Sequence, residues 1–223
     1  MRRRPLRSPA DPVSVSRSRV PVIVLATRNE GKKRELLPLL APLGARIVTL
    51  DEAGVSVSVE EEGIEAHPTF EENALAKARW FFAQSGLPCV ADDSGLAVDA
   101  LDGQPGVRSR RWSGSGDGPG QDAANNALLV ASLAAADAGG SRGRGARYVC
   151  AAAFAGDGRE LVCRGETLGF ILDEPRGEGG FGYDPYFWSP ELGRTFAEAT
   201  VEEKARVSHR GRAMRALCAA LVG

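Results

Sequence analysis

The chain has 223 residues, 43% hydrophobic and 26% charged, which is enough to bury a core in one medium domain. Its 28 basic residues against 29 acidic leave a formal net charge of −1, which argues against a general nucleic-acid coat, and no apolar stretch approaches the roughly 20 residues that span a bilayer. Cys89, Cys150, Cys163 and Cys218 are far apart with no Cys-x-x-Cys spacing, so zinc is not expected and a reducing, cytoplasmic setting is.

Residues 1–19 carry six Arg among Ser and Pro, with Asp11 as the lone acid. A targeting segment would share that bias, but Pro5, Pro9 and Pro12 oppose an amphipathic helix, and the segment reads as a disordered tail ahead of one domain over 20–223. Residues 20–26 form a β-branched apolar run, read as a buried strand. The polar turn 27–31 follows, then a helix from near Lys32 with Leu36, Leu37, Leu39 and Leu40 on its apolar face, and a second strand over 45–50. Thr69 and Glu72 have capping-box spacing before an Ala-rich helix. A strand over 87–91 runs into Asp92-Asp93-Ser94-Gly95, and 122–138 is helical in composition. Residues 139–145 read as a flexible connection. Residues 148–155 and 160–171 pair around Gly156-Asp157-Gly158, and 202–221 is a helix broken near Ser208. This is an α/β or mixed α+β unit, with room for two lobes.

Four segments offer chemistry. At 27–33, a strand, a polar loop and a helix N-terminus expose free N–H groups, with Lys32 and Lys33 adding charge; the P-loop pattern is not met. The Asp92-Asp93 pair suits either a magnesium carboxylate or a polar turn, and strand alternation forbids both side chains pointing one way. In 177–187 glycines adjoin Phe181, Tyr183, Tyr186 and Phe187, which could stack a base or simply pack inside. The run 203–212 holds His209, one of only 2 His in the chain, beside Arg210.

Taken together and in order, these segments resemble the inosine triphosphate pyrophosphatase family. The matching blocks are Leu25-Ala26-Thr27-Arg28-Asn29-Glu30-Gly31-Lys32, Thr69-Phe70-Glu71-Glu72-Asn73-Ala74 with Lys77-Ala78, and Ala91-Asp92-Asp93-Ser94-Gly95-Leu96. Pro105-Gly106-Val107 with Ser109 and Arg111, Gly179-Gly180-Phe181-Gly182-Tyr183-Asp184-Pro185, and Glu203-Lys204 with Ser208-His209-Arg210-Gly211 complete the set. The resemblance implies a two-lobed fold, with a long mixed sheet flanked by helices and a cleft between the lobes, and a homodimer. It implies that Thr27, Arg28, Asn29, Glu30, Gly31 and Lys32 hold a triphosphate. Asp93 would bind Mg2+ and activate water, with Glu61 as second metal ligand and Glu60 its rival. Ser94, Phe181, Gly182, Tyr183, Asp184, Lys204, His209 and Arg210 would contact the nucleotide. The implied reaction converts ITP, dITP or XTP to monophosphate and pyrophosphate, with no membrane or nucleic acid as partner. Donors near His209-Arg210 would favour a 6-carbonyl purine over adenine. Residues 65–68 look inserted before Thr69, and Arg108 and Arg110 depart from the family pattern.

Overall fold

The computed structural model describes residues 20–116, 118–136 and 143–223. The expectation of a disordered tail over 1–19, and most of the expected connection 139–145, lie outside the described residues. One mixed sheet of seven strands runs β2-β1-β3-β4-β5-β6-β7. These are β1 (Val22–Leu25), β2 (Arg46–Thr49), β3 (Cys89–Val98), β4 (Gly145–Gly156), β5 (Arg159–Ile171), β6 (Phe187–Ser189) and β7 (Arg194–Thr195). β1 pairs parallel with β2 and β3, and every later pairing is antiparallel. Parallel pairing requires crossovers, which α1 (Glu30–Leu39) and α2 (Phe70–Ser85) supply. β4 and β5 join directly through Asp157 and Gly158, both at positive φ, as a tight hairpin needs.

Alternation along the long strands divides the core. Cys89, Ala91, Val149, Ala151 and Ala153 face α2, with Phe70, Ala74, Ala78 and Phe81 packed over them. On the opposite face Val90, Cys150, Ala152 and Phe154 meet Leu36 of α1 and Ala213, Met214 and Leu217 of α5 (His209–Val222). A third cluster gathers Leu96, Val98, Tyr148, Phe187 and Phe196 with Leu129 and Leu133 of α3 (Gln121–Ala135), forming the second lobe. β3 therefore crosses from one lobe to the other, and its midpoint, Asp92 to Ser94, lies at the waist between them.

The strand does not stop at Ala91, as composition suggests, but continues through the carboxylates to Val98. Asp is a poor strand former, yet ten consecutive register pairs with β4 override that preference. Thr69 caps α2 by accepting from the Glu72 N–H at 3.2 Å, while its hydroxyl donates to Glu72 Oε2 at 2.8 Å. The last helix breaks where expected: Ser208 ends α4 (Val201–Val207) and its hydroxyl caps α5 by accepting from the Gly211 N–H.

Candidate active site

Between the lobes lies a cleft of about 1030 Å³. Its lining includes Thr27 to Lys32, Glu61, Asp93, Ser94, Phe181 to Asp184, Lys204, His209 and Arg210, whereas Lys33, Glu60, Asp92, Tyr186 and Phe187 are not part of it. Also lining it are Lys77, Ser109 and Arg111, which lie in the matching blocks but carry no expected role, and Glu65, Asn125 and Tyr148.

The first wall is the loop after β1. Asn29 caps α1 through Oδ1, which accepts from the Lys32 N–H at 2.9 Å, and Thr27 Oγ1 accepts from the Asn29 N–H. Glu30 pairs with Lys33 at the helix surface. Gly31 lies under Phe181: a Cβ there would stand 2.6 Å from the ring, so only glycine lets the aromatic loop settle on the helix start. Arg28 turns aside from the loop. Its Nε and Nη2 donate to both oxygens of Glu61 at 2.8 and 2.7 Å, Nη2 also donates to the Val55 carbonyl, and Nη1 meets Asp51.

On the floor, alternation sends the two aspartates to opposite sides of β3. Asp92 faces α1 and α5. Against complete burial, Lys32 at 3.1 Å and Arg210 at 3.2 Å, with Lys77 nearby, hold its carboxyl below the usual carboxylate range. Asp93 faces α2, where Asn73 Nδ2 donates to Oδ2 at 3.0 Å. Burial pushes Asp93 up; Lys77 and Lys32 pull it back, and the negative charge of Glu65 adds to the rise. Glu65 itself pairs with Lys77, whose ammonium also donates to the Asp92 carbonyl at 2.8 Å. Although largely buried, Glu65 is held low by Lys77 and Lys32. Residues 65–68 are thus no idle insertion, and it is Glu65 that repels Asp93, while both oxygens of Glu61 are taken by Arg28. The clue was present in the sequence: an acid four residues before the Thr69 cap is carried to the mouth of α2.

The far wall is a buried charge cluster. Lys204 of α4 meets Glu35 at 2.7 Å and also Asp184. Arg210 donates to Glu35, to Asp92 and to Ser94 Oγ, the last at 2.8 Å. Glu35 stays below its ordinary value because Lys204 and Arg210 outweigh its burial, whereas burial pushes Asp184 up. Asp184 accepts from the Phe181 N–H at 2.9 Å, and Asp122 and Asn126 of α3 grip the backbone of Gly182. Tyr183 donates to the Ser109 carbonyl, so its ring is a strut between loops. His209 stacks on Tyr148, with ring centroids 4.5 Å apart and planes 8° off parallel. Burial, with Arg210 and Lys204 close by, pulls its pKa well down, so it is a neutral imidazole whose Nδ1 is buried without a partner.

These features combine an anion-ready helix start, two mutually repelling carboxylates and an aromatic wall with one unpaired polar nitrogen. The Ham1 family model matches residues 23–220, nearly the whole chain. The chain belongs to the Ham1 family. Among its curated relatives, the dITP/XTP pyrophosphatase of Nocardia farcinica is 52% identical over 203 residues, covering 89% of this chain and 94% of that protein. The dITP/XTP pyrophosphatase of Frankia alni is 51% identical, with 89% and 96% covered. Among solved structures, a HAM1 protein from Coxiella burnetii superposes with a TM-score of 0.77 at 39% identity, covering 91% of this chain and 99% of that one. The Ham1 protein of Staphylococcus aureus gives 0.75 at 35% identity, with 91% and 98% covered. The Ham1 fold is therefore that of this chain, a mixed sheet flanked by helices. No described helix is long and apolar enough to cross a membrane.

Proposed function

We propose that this chain, acting as one domain over 20–223, hydrolyses non-standard purine nucleoside triphosphates, ITP, dITP and XTP, to the monophosphate and pyrophosphate. The observation that carries this reading is the buried Asp93 facing Glu65 at the waist, between a helix start built for anions and a wall that can read a base. Close relatives named dITP/XTP pyrophosphatase support the substrate class.

The residues suit magnesium. Two hard carboxylates are the set this ion takes when substrate phosphates and water complete its shell, and among the described residues no group of three or more His, Cys, Asp or Glu is arranged to hold a metal ion by itself. We assign Asp93 and Glu65 to hold it, in place of the Asp93 and Glu61 expected from sequence. When bound, the ion supplies positive charge against the phosphate oxygens. Asp93 takes the proton of the attacking water, and the bond between the α-phosphorus and the bridging oxygen to the β-phosphate breaks. Lys32 and the free N–H groups of α1 orient the phosphates and meet their growing charge. Asn73 fixes the Asp93 carboxylate, and Lys77 holds Glu65 in its charged form.

Selectivity is assigned to the far wall. Three nitrogens of Arg210 are engaged by protein acceptors, so the 6-carbonyl of the purine falls to His209 or to backbone N–H groups, with Phe181 against the ring. A homodimer is proposed on the outer face of β5, where Leu168 and Phe170 stand exposed and a two-fold would set each patch against its copy. Four free cysteines accord with the cytoplasm. The deciding experiment is pyrophosphate release from ITP, dITP, XTP, GTP and ATP with and without magnesium. Magnesium-dependent turnover confined largely to the first three supports the reading, and equal turnover of ATP and ITP overturns the proposed selectivity.

A further inference from the structure

We infer that Arg28 and Glu61 form a positioning pair, a strut that ties the acidic segment to the phosphate loop and thereby sets where Glu65 stands opposite Asp93. The inference rests on the reading above that Asp93 and Glu65 hold the metal.

The segment in question is held at its two ends. Val55 is buried, and Ile64 packs against the same core. Between them Val57 is 76% exposed and Val59 86%, so no apolar contact there fixes the chain. What fixes it is Glu61. One of its oxygens accepts from the Ser58 N–H at 3.2 Å, closing the cap of the short 3-10 turn Val59–Gly63, and both oxygens receive the guanidinium fork of Arg28. The same guanidinium holds the Val55 carbonyl at 3.2 Å and Asp51 at 3.3 Å. Arg28 therefore grips the segment at Glu61 and Val55 and reaches Asp51 just before it, and four of its five N–H groups are spent within the protein. Little remains with which to bind phosphate. On the other side, Arg28 is flanked by Thr27 and Asn29, which build the α1 cap. The planar two-point pairing fixes orientation as well as distance, which a lysine could not reproduce. Glu65 follows Glu61 by four residues; Lys77 and Arg111 hold its side chain and Arg111 its carbonyl, and the strut sets how the segment reaches them.

The test uses the full chain with Glu61→Gln, Arg28→Gln, Glu65→Gln and the swap Arg28→Glu/Glu61→Arg. Mn2+ binding is read by electron paramagnetic resonance without nucleotide, and the magnesium dependence of ITP turnover is measured beside it. Glu61→Gln and Arg28→Gln should each weaken Mn2+ binding about tenfold and raise the half-saturating magnesium equally, with kcat at saturating magnesium within about threefold of the unaltered chain. Glu65→Gln should abolish Mn2+ binding and lower kcat by about 100-fold or more, and the swap should recover most of the metal affinity. Three results overturn the strut. Glu61→Gln could behave like Glu65→Gln, making Glu61 a ligand; it could leave Mn2+ binding unmoved; or Arg28→Gln could raise KM for ITP alone, making Arg28 a phosphate ligand. Failure of the functional reading would show separately, as absence of ITP turnover in the unaltered chain, while the Mn2+ comparison still decides the strut.

Discussion

Replacing Glu35 with glutamine removes one charge from the buried ion cluster behind the cleft wall. Three cations, Lys32, Lys204 and Arg210, there face three anions, Glu35, Asp92 and Asp184, and the cluster balances. Glutamine keeps the shape but leaves a net positive charge and turns an NH2 donor toward Lys204 or Arg210, whose side chains are 5% and 3% exposed. Stranding buried charge in this way costs about 3–5 kcal/mol. In a domain of this size that lowers Tm by roughly 6–20 °C. Urea unfolding read by tryptophan fluorescence measures it, with Glu30→Gln as control, because Glu30 is 78% exposed and its pairing with Lys33 contributes little. The pH dependence gives an independent check. Glu35 has a lowered folded pKa, so its contribution is complete above its unfolded value, about 4.3, and is lost as pH falls through the folded one. The gap between the two proteins should therefore be widest near neutrality and close on acidification. A loss below 1 kcal/mol at pH 7, or a gap that widens toward acid, would refute the idea that Glu35 is the counter-charge of this cluster.

Asp93→Asn should cut kcat for ITP by about 10²–10⁴-fold with nucleotide binding retained; near-normal turnover in a pyrophosphate-release assay would remove Asp93 from the chemistry. Gly31→Ala should raise KM severalfold by lifting Phe181 off the α1 start, and steady-state kinetics with unchanged KM would show that the ring gives way freely. Gly211→Ala puts a methyl 1.9 Å from the Ala205 carbonyl, so α4 and α5 must part. We expect a loss of about 2 kcal/mol or more in urea unfolding, and an unmoved midpoint would contradict that contact.

Much of the fold could be read because its signals are local. The β-branched run before Thr27, the Thr69 cap, the Gly156-Asp157-Gly158 hairpin and the Ser208 break each act within a few residues, and the structure has them within one to three positions of the expected bounds. What escaped depends on distant partners. Glu35 sits between Arg34 and Leu36 and reads as a solvent-facing helix residue until α4 and α5 bring Lys204 and Arg210 to it from about 170 positions away. Asn73 and Lys77 stood inside a matching block, but their aim at Asp93 and Glu65 appears only when α2 lies across β3. The resemblance implies a metal-binding acid before the capped helix and points to Glu61 or Glu60, but the residues alone do not reveal that Arg28 engages both oxygens of Glu61.

The alanines of β4 leave room for separate adjustment of the two halves of the site. Ala151 and Ala153 lie under α2, whereas Ala152 lies under α5, each almost wholly buried. One added methyl group at Ala151 would press on the helix that carries Asn73 and Lys77, and so on the side proposed for hydrolysis. The same change at Ala152 would press on the helix that begins with His209 and Arg210, and so on the side proposed to select the base. Neighbouring codons thus act as two trimming screws, one for each proposed half of the site, and a lineage could turn either without changing a residue that lines the cleft.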